Sequence, residues 1–154
     1  MDRQYPQRPM VGVGALIFRN DKVLLVQRGR EPALGKWSLP GGLVEIGESL
    51  HDAVCREVLE EVGLRVTALD LVAALDRVIL DEEGRIKYHY ILLDFLCESV
   101  DDEQPYPASD VRDCRFLSIE DLSSCNLTRG TEKVIYRTFA GTRGQSSPVY
   151  NADL

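Results

Sequence analysis

Between Gly41 and Leu64 the sequence GGLVEIGESLHDAVCREVLEEVGL gathers Glu45, Glu48, Asp52, Glu57, Glu60 and Glu61 into one short segment. Its first part is a glycine-bounded loop; its second part has apolar residues at helical spacing. Ser49 stands where an N-cap would, Asp52 three residues on is its acidic capping-box partner, and Gly63 is a C-terminal stop. The spacing therefore predicts a helix over 50–62. At about 100 degrees per residue, Glu57, Glu60 and Glu61 share one arc, while Val54, Cys55, Val58, Leu59 and Val62 are expected on the side away from them.

Like charges at i, i+3 and i+4 destabilise a helix by about 0.2–0.5 kcal/mol per pair, so this face calls for a cation. Arg56 is one neighbour, but a single guanidinium does not neutralise three carboxylates. Hard divalent cations such as Mg²⁺ take oxygen ligands and fit the donor set. Ala53, one turn before Glu57, is expected to leave room for a metal and its waters. The alternative, a merely solvated acidic face, explains the charges but not the glycines around them. Gly42, then five residues to Glu48, then seven to the run Arg56-Glu57-Val58-Leu59-Glu60-Glu61-Val62-Gly63-Leu64, resembles the Nudix box at every defined position.

At 154 residues and 44% apolar content, the chain is sized for one domain with a real core. A net charge of −7 argues against nucleic acid or an anionic membrane as partner, because both are gripped by Lys/Arg patches. A small phosphate ester arriving with a divalent metal is compatible, since the metal reverses the local sign. Cys55, Cys97, Cys114 and Cys125 have no C-x-x-C spacing and are read as packing residues. With no signal peptide or long apolar run, the expected compartment is the cytoplasm.

In chain order, residues 1–9 form a polar, proline-bearing lead expected to be loosely held. Met10 to Phe18 reads as a buried strand whose Gly12 and Gly14 share one face, marking the close approach of a ligand or of another part of the sheet. Asn20-Asp21 turns the chain into a second strand, Lys22 to Gln27. Arg28, at its end, is the better candidate to grip phosphate; Arg30 reads as a solvated loop charge. Trp37 is expected to anchor the loop approach to the acidic segment.

Val66 to Leu75 and Lys87 to Leu96 read as strands joined near a turn at Asp81 to Gly84. Tyr88 and Tyr90 share a face, available to a nucleobase or to the core. An acidic loop, 101–113, precedes a short strand, Cys114 to Leu117, a turn of helix from Ser118 to Leu122, and a helix from Thr128 to Phe139. Residues from about 142 to 154 are expected to be a flexible tail. Nothing marks a second domain, and residues 1–154 are expected to fold as one α/β unit with a mixed sheet between helices.

The resemblance to the Nudix family implies that family's α/β/α sandwich. It extends to Trp37-Ser38-Leu39-Pro40-Gly41-Gly42, to Phe116-Leu117-Ser118-Ile119 and to Leu127-Thr128-Arg129-Gly130-Thr131, which are similar to the ADP-ribose pyrophosphatase-like branch. It implies hydrolysis, with Mg²⁺ or Mn²⁺, of a nucleoside diphosphate linked to another moiety. Glu57 and Glu61 would be principal metal ligands, with Glu60 assisting and the Gly41 carbonyl adding an oxygen. Arg56 would orient the glutamates and Glu48 would support the loop and the metals' water shell.

The downstream glutamate of many members is replaced by Asp110, which leaves the general base open among Asp110, Glu57 and Glu103. Arg28, Glu48, Tyr88 and Tyr90 are the substrate-binding candidates. Three functions stand apart: an ADP-ribose or nucleotide-sugar pyrophosphatase; a house-cleaning hydrolase of oxidised (d)NTPs; and a non-catalytic nucleotide sensor, against which the intact glutamates argue. Sixteen residues after Leu64 stands Leu80, not the proline of the ADP-ribose spacing. Related proteins are often homodimers, for which the first strand would be a pairing edge.

Overall fold

The computed structural model describes residues 2–142 and 149–151. Strand β1 (Met10–Arg19) turns into β2 (Lys22–Arg28) through Asn20 and Asp21, both at positive φ (52° and 60°). That two-residue turn matches the right-handed twist of a hairpin, and Asn and Asp tolerate its left-handed conformation. Then follow β3 (Trp37–Ser38), β4 (Gly41–Leu43), α1 (Leu50–Val62), β5 (Val66–Leu80), β6 (Ile86–Ser99), β7 (Val111–Ser118), a 3₁₀ turn (Ile119–Ser124), α2 (Thr131–Thr142) and β8 (Val149–Asn151).

The sheet runs β3-β2-β1-β6-β5-β8, with β4 added to β1 and β7 to β2. It is mixed: β1 runs parallel to β6 and β5 to β8, whereas the pairs of β1 with β2 and β4, of β5 with β6, and of β2 with β3 and β7 are antiparallel. Alternation along the strands distributes two cores. Val13, Ala15 and Ile17 of β1 and Leu24 and Val26 of β2 pack with Val54, Val58 and Val62 of α1. Leu16, Val23 and Leu25 point the other way and pack with Val134 and Ile135 of α2. One helix lies on each face, so the fold is the expected α/β/α sandwich.

Helix α1 has the expected bounds. The Ser49 hydroxyl accepts from the Asp52 N–H at 3.0 Å, and Gly63, at φ 72°, closes the helix by donating its N–H to the Leu59 carbonyl. The 101–113 loop satisfies two more terminal carbonyls: Tyr106 N–H donates to Val62 O and Ala108 N–H to Glu61 O. A Cβ on Gly63 would also lie 2.3 Å from the Tyr106 ring. Gly63→Ala is therefore expected to lower stability by about 1–2 kcal/mol, measured by urea unfolding, the left-handed backbone alone accounting for about 1.

Several expectations are corrected. Leu59 is 43% exposed, because the core contact ends with Val58 and Val62. Ala53 is fully buried in the core and opens no space beside Glu57. Strand β1 is interior to the sheet, flanked by β2 and β6, and offers no pairing edge. The approach to the acidic segment contains strands β3 and β4, and α2 begins at Thr131, not Thr128. Strands β5, β6 and β7 all run longer than their apolar cores, since backbone pairing continues past them.

The lead is held at Tyr5, whose N–H donates to Lys87 O and whose hydroxyl donates to Asp81. Within the expected tail, Val149–Asn151 pairs with β5; residues 143–148 and 152–154 lie outside the described residues. The four cysteines are free and pack in or against the two cores, as expected. Trp37 does the same, packed beneath the Arg115 guanidinium. Among the described residues no helix is long and apolar enough to cross a membrane.

Candidate active site

Arg56 is the hub around which the acidic segment is built. Its Nε and Nη2 donate to the two oxygens of Glu48 at 2.7 and 2.9 Å, a bidentate pair. Nη1 donates to Glu57 at 2.9 Å and to Glu60 at 3.3 Å, and Nη2 also donates to Leu43 O at 3.0 Å. Glu48 in turn accepts from the Glu45 N–H, closing the loop over Gly47. The Arg56 hydrogen bond, helped by that backbone donor, holds the Glu48 carboxyl down at about 2. One guanidinium thus ties the loop to α1 and fixes the carboxylates on one side.

Strand β4 explains the pair of glycines. Gly42 leaves the Glu57 carboxylate a seat: a Cβ there would lie 2.4 Å from its Cδ and 2.5 Å from each oxygen. Gly41 is pressed against β1, where a Cβ would lie 2.0 Å from Val13 O, and its N–H donates to Glu61 at 3.3 Å. Glu57 and Glu61 are therefore side by side on the edge of α1 that faces β4. Burial raises the pKa of Glu57 despite Arg56, and burial together with the Glu57 charge raises that of Glu61 to about 8. Two desolvated carboxylates short of positive charge are an electrostatic demand for a cation.

Among the described residues no three acidic, histidine or cysteine side chains are grouped as a ready metal site. Arg56 draws Glu57 and Glu60 toward itself, while Glu61 leans on the Gly41 amide. The donor set still fits a hard divalent ion, because it is oxygen-only and one shared guanidinium, Arg56, only partly offsets the Glu57–Glu61 charge.

These groups line a hollow of about 280 Å³ together with Arg28, Arg30 and Asp110. The Arg28 side chain donates through Nε to Pro32 O at 2.7 Å and makes no other hydrogen bond among the described residues. Its guanidinium is largely buried and faces the Glu61 charge. Asp110 contributes negative charge to Glu61 and makes an exposed ion pair with Arg30 at 3.3 Å, so Arg30 is the solvated loop charge expected, with a surface partner. Glu103 lies elsewhere: its carbonyl accepts from Arg19, and it does not line the hollow. Glu60 is exposed on the rim.

Tyr88 and Tyr90 are buried on the α2 face with their rings stacked on each other, centroids 6.0 Å apart. Tyr90 lines a second cavity of about 150 Å³ that adjoins the first through Arg28, Gly41 and Gly42. Tyr88 lines a third, of about 580 Å³, reached past Pro32 and Arg77. Gly12 and Gly14 open onto the second cavity, the close approach there being that of the β6 side chains Leu92 and Asp94.

Arg3, Arg77 and Asp94 also line this cleft and were missed in the sequence. Arg3 lies in the polar lead, whose composition carries no sign of a held segment. Arg77 and Asp94 carried one available signal, a charge inside an otherwise apolar strand.

A family model described as NUDIX domain matches residues 8–139. An ADP-ribose pyrophosphatase from Methanocaldococcus jannaschii is 32% identical over 127 residues, covering 82% of this chain and 71% of that protein. A putative 8-oxo-dGTP diphosphatase 2 from Mycobacterium tuberculosis is 48% identical over 67 residues, 43% of this chain and 45% of its own. The crystal structure of an ADP-ribose pyrophosphatase from Streptococcus suis superposes with a TM-score of 0.70 at 30% identity, covering 95% of this chain and all of that one. Box, sandwich and family match coincide on the same residues, and the chain belongs to the NUDIX domain family.

Proposed function

We propose that this Nudix pyrophosphohydrolase splits the diphosphate of a nucleoside diphosphate linked to another moiety, ADP-ribose or a nucleotide sugar, using Mg²⁺ or Mn²⁺ held by Glu57, Glu61, Glu60 and the Gly41 carbonyl. The observation that carries this reading is the shared hollow of Glu57, Glu61 and Arg28: a carboxylate pair in need of cations beside a guanidinium free to take phosphate oxygens. The likeness to ADP-ribose pyrophosphatases over most of this chain supports the substrate class.

A divalent ion bound there supplies charge neutralisation on the phosphoryl oxygens and lowers the pKa of water. The chain's own residues do the rest. Arg28 orients the diphosphate through its unused N–H groups. Arg56 holds Glu57 in place so that its position costs nothing when substrate arrives. Glu48 fixes Arg56 in turn. Glu103 being outside the hollow, the proton of the attacking water goes to Asp110 or Glu57.

Glu57 is committed to Arg56 and Gly42, which favours Asp110, exposed and, among the described residues, ion-paired with Arg30 alone. Asp110→Asn is expected to lower kcat by about 100-fold or more with little change in KM. A loss smaller than that would pass the base role to Glu57.

Products decide the reaction. With ADP-ribose, nucleotide sugars and (d)NTPs, each with Mg²⁺, release of a nucleoside monophosphate plus a phosphorylated partner is expected. Pyrophosphate release from an NTP, with the diphosphate-linked compounds untouched, would favour the house-cleaning reading. The 67-residue likeness to the putative 8-oxo-dGTP diphosphatase supports that second reading. Inactivity on every compound would favour a sensor.

A further inference from the structure

On the α2 face of the sheet, Asp94 is 6% exposed in the middle of β6. Gly14, its register partner on β1, makes its seat: a Cβ at Gly14 would lie 2.3 Å from one carboxylate oxygen. No donor among the described residues hydrogen-bonds to this carboxyl, and the charge acting on it, Arg77, forms no ion pair with it. Arg77 instead donates to the Arg129 carbonyl. Burial raises the Asp94 pKa to about 7, as it must for a carboxyl without donors.

The Tyr90 hydroxyl, on the same face, is likewise buried and has no partner at normal hydrogen-bond geometry, the Arg3 guanidinium being the principal charge acting on it. Buried polar groups in proteins are almost always satisfied, so an orphaned hydroxyl beside a carboxyl with no donor, both opening on one cavity, points to a ligand that satisfies them.

The cavity they line holds about 150 Å³. That is below the roughly 300–1,000 Å³ of sites that take a whole small molecule, so it has room for one ring system. Its walls include Leu39, Leu75, Ile79 and Leu92. Arg3, Arg28 and Arg77 share the lining, and apolar walls with a carboxyl and a hydroxyl among them suit a flat heterocycle that offers N–H donors at one edge and can stack beneath a guanidinium. The mouth, at Arg28 and Gly42, opens on the hollow of Glu57 and Glu61.

Resting on the reading of that hollow as the metal and diphosphate site, we propose that Asp94, assisted by the Tyr90 hydroxyl, is a specificity residue that accepts hydrogen bonds from the amino-bearing edge of the substrate's nucleobase. Adenine, cytosine and guanine each offer an exocyclic amino group; uracil presents one N–H between two carbonyl oxygens, which would face the carboxylate.

The test is titration calorimetry of the full chain with AMP, GMP, CMP and UMP. At least one amino-bearing nucleotide is expected to bind about tenfold or more tightly than UMP. In Asp94→Asn, which keeps the shape and removes a buried charge, the preference should fall to within about twofold while the melting temperature is kept. Equal binding of all four by the wild type, or an undiminished preference in Asp94→Asn, overturns the proposal. Should that variant not fold, Tyr90→Phe must reduce the preference about threefold, and an unchanged preference there overturns it equally.

Because binding is read without turnover, the two readings fail separately. Discrimination without hydrolysis of any diphosphate sinks the proposed activity alone. Hydrolysis indifferent to the base, with no discrimination in binding, sinks this inference alone.

Discussion

Glu61→Gln is expected to lower kcat/KM on the best diphosphate substrate by about 1,000-fold while leaving the metal-free protein folded. Glu61 is desolvated between α1 and β4 and repelled by Glu57, with one amide, from Gly41, as its hydrogen-bond donor. Its charge is therefore held against the preference of the metal-free fold, which burial pushes toward the protonated form. Gln keeps the volume and can still accept from the Gly41 N–H, so the melting temperature should hold or rise.

On the proposed ligand role, what is lost is a charge for the metal. Several kcal/mol of transition-state charge stabilisation rest on that ion, and each ~1.4 kcal/mol is tenfold in rate. Circular dichroism melting beside a Mn²⁺ titration followed by electron paramagnetic resonance separates the two effects. Weakened Mn²⁺ binding with an unchanged melt is the expected pair of results. A rate within about tenfold of wild type would remove Glu61 from the ligand set.

The acidic segment was legible because its signals are local. Ser49, Asp52 and Gly63 delimit α1 through bonds to their own near neighbours, so spacing alone carries the helix bounds. Core strands β1 and β2 were legible for a related reason: their buried runs are continuous, as strands covered on both faces must be.

What failed depends on partners distant in sequence. Ala53 sits on the Glu57 side of the helical wheel, yet it is core, because residues of the sheet pack against that edge of α1 as well. The short strands β3 and β4 exist through their partners, β2 for one and β1 for the other, and two or three residues contain no period to read. Asp94 and Arg77 enter the cleft only through the register of β6 against β1 and of β5 against β6. Asp110 reaches Glu61 because Tyr106 and Ala108 pin its loop to the end of α1, a bond between backbone groups that no side-chain pattern reveals.

Gly41 and Gly42 stand next to each other in the box, and alanine should affect them in opposite ways. At Gly42 the added methyl would occupy the seat of the Glu57 carboxylate, which is the end of a flexible side chain that can swing aside. The fold should tolerate this at a cost of a few degrees or less in melting temperature. The displaced carboxylate would leave both Arg56 and the metal position, and misplacement of about 1 Å at a reacting centre costs about 100-fold. Gly42→Ala should therefore lose about 100-fold or more in kcat/KM.

At Gly41 the methyl would meet Val13 O and the Gly14 Cα, backbone atoms of an interior strand that have nowhere to go. Gly41→Ala should then unpair β4 from β1 and lower stability by about 2–4 kcal/mol, with activity lost through the fold. Urea unfolding alongside kinetics distinguishes the pair. If Gly42→Ala retained full activity, Glu57 would not need its observed seat and the ligand role assigned to it would fall. If Gly41→Ala were as stable as wild type, β4 would be free to shift on β1, and the fixed position of the Glu61 donor would be lost with it.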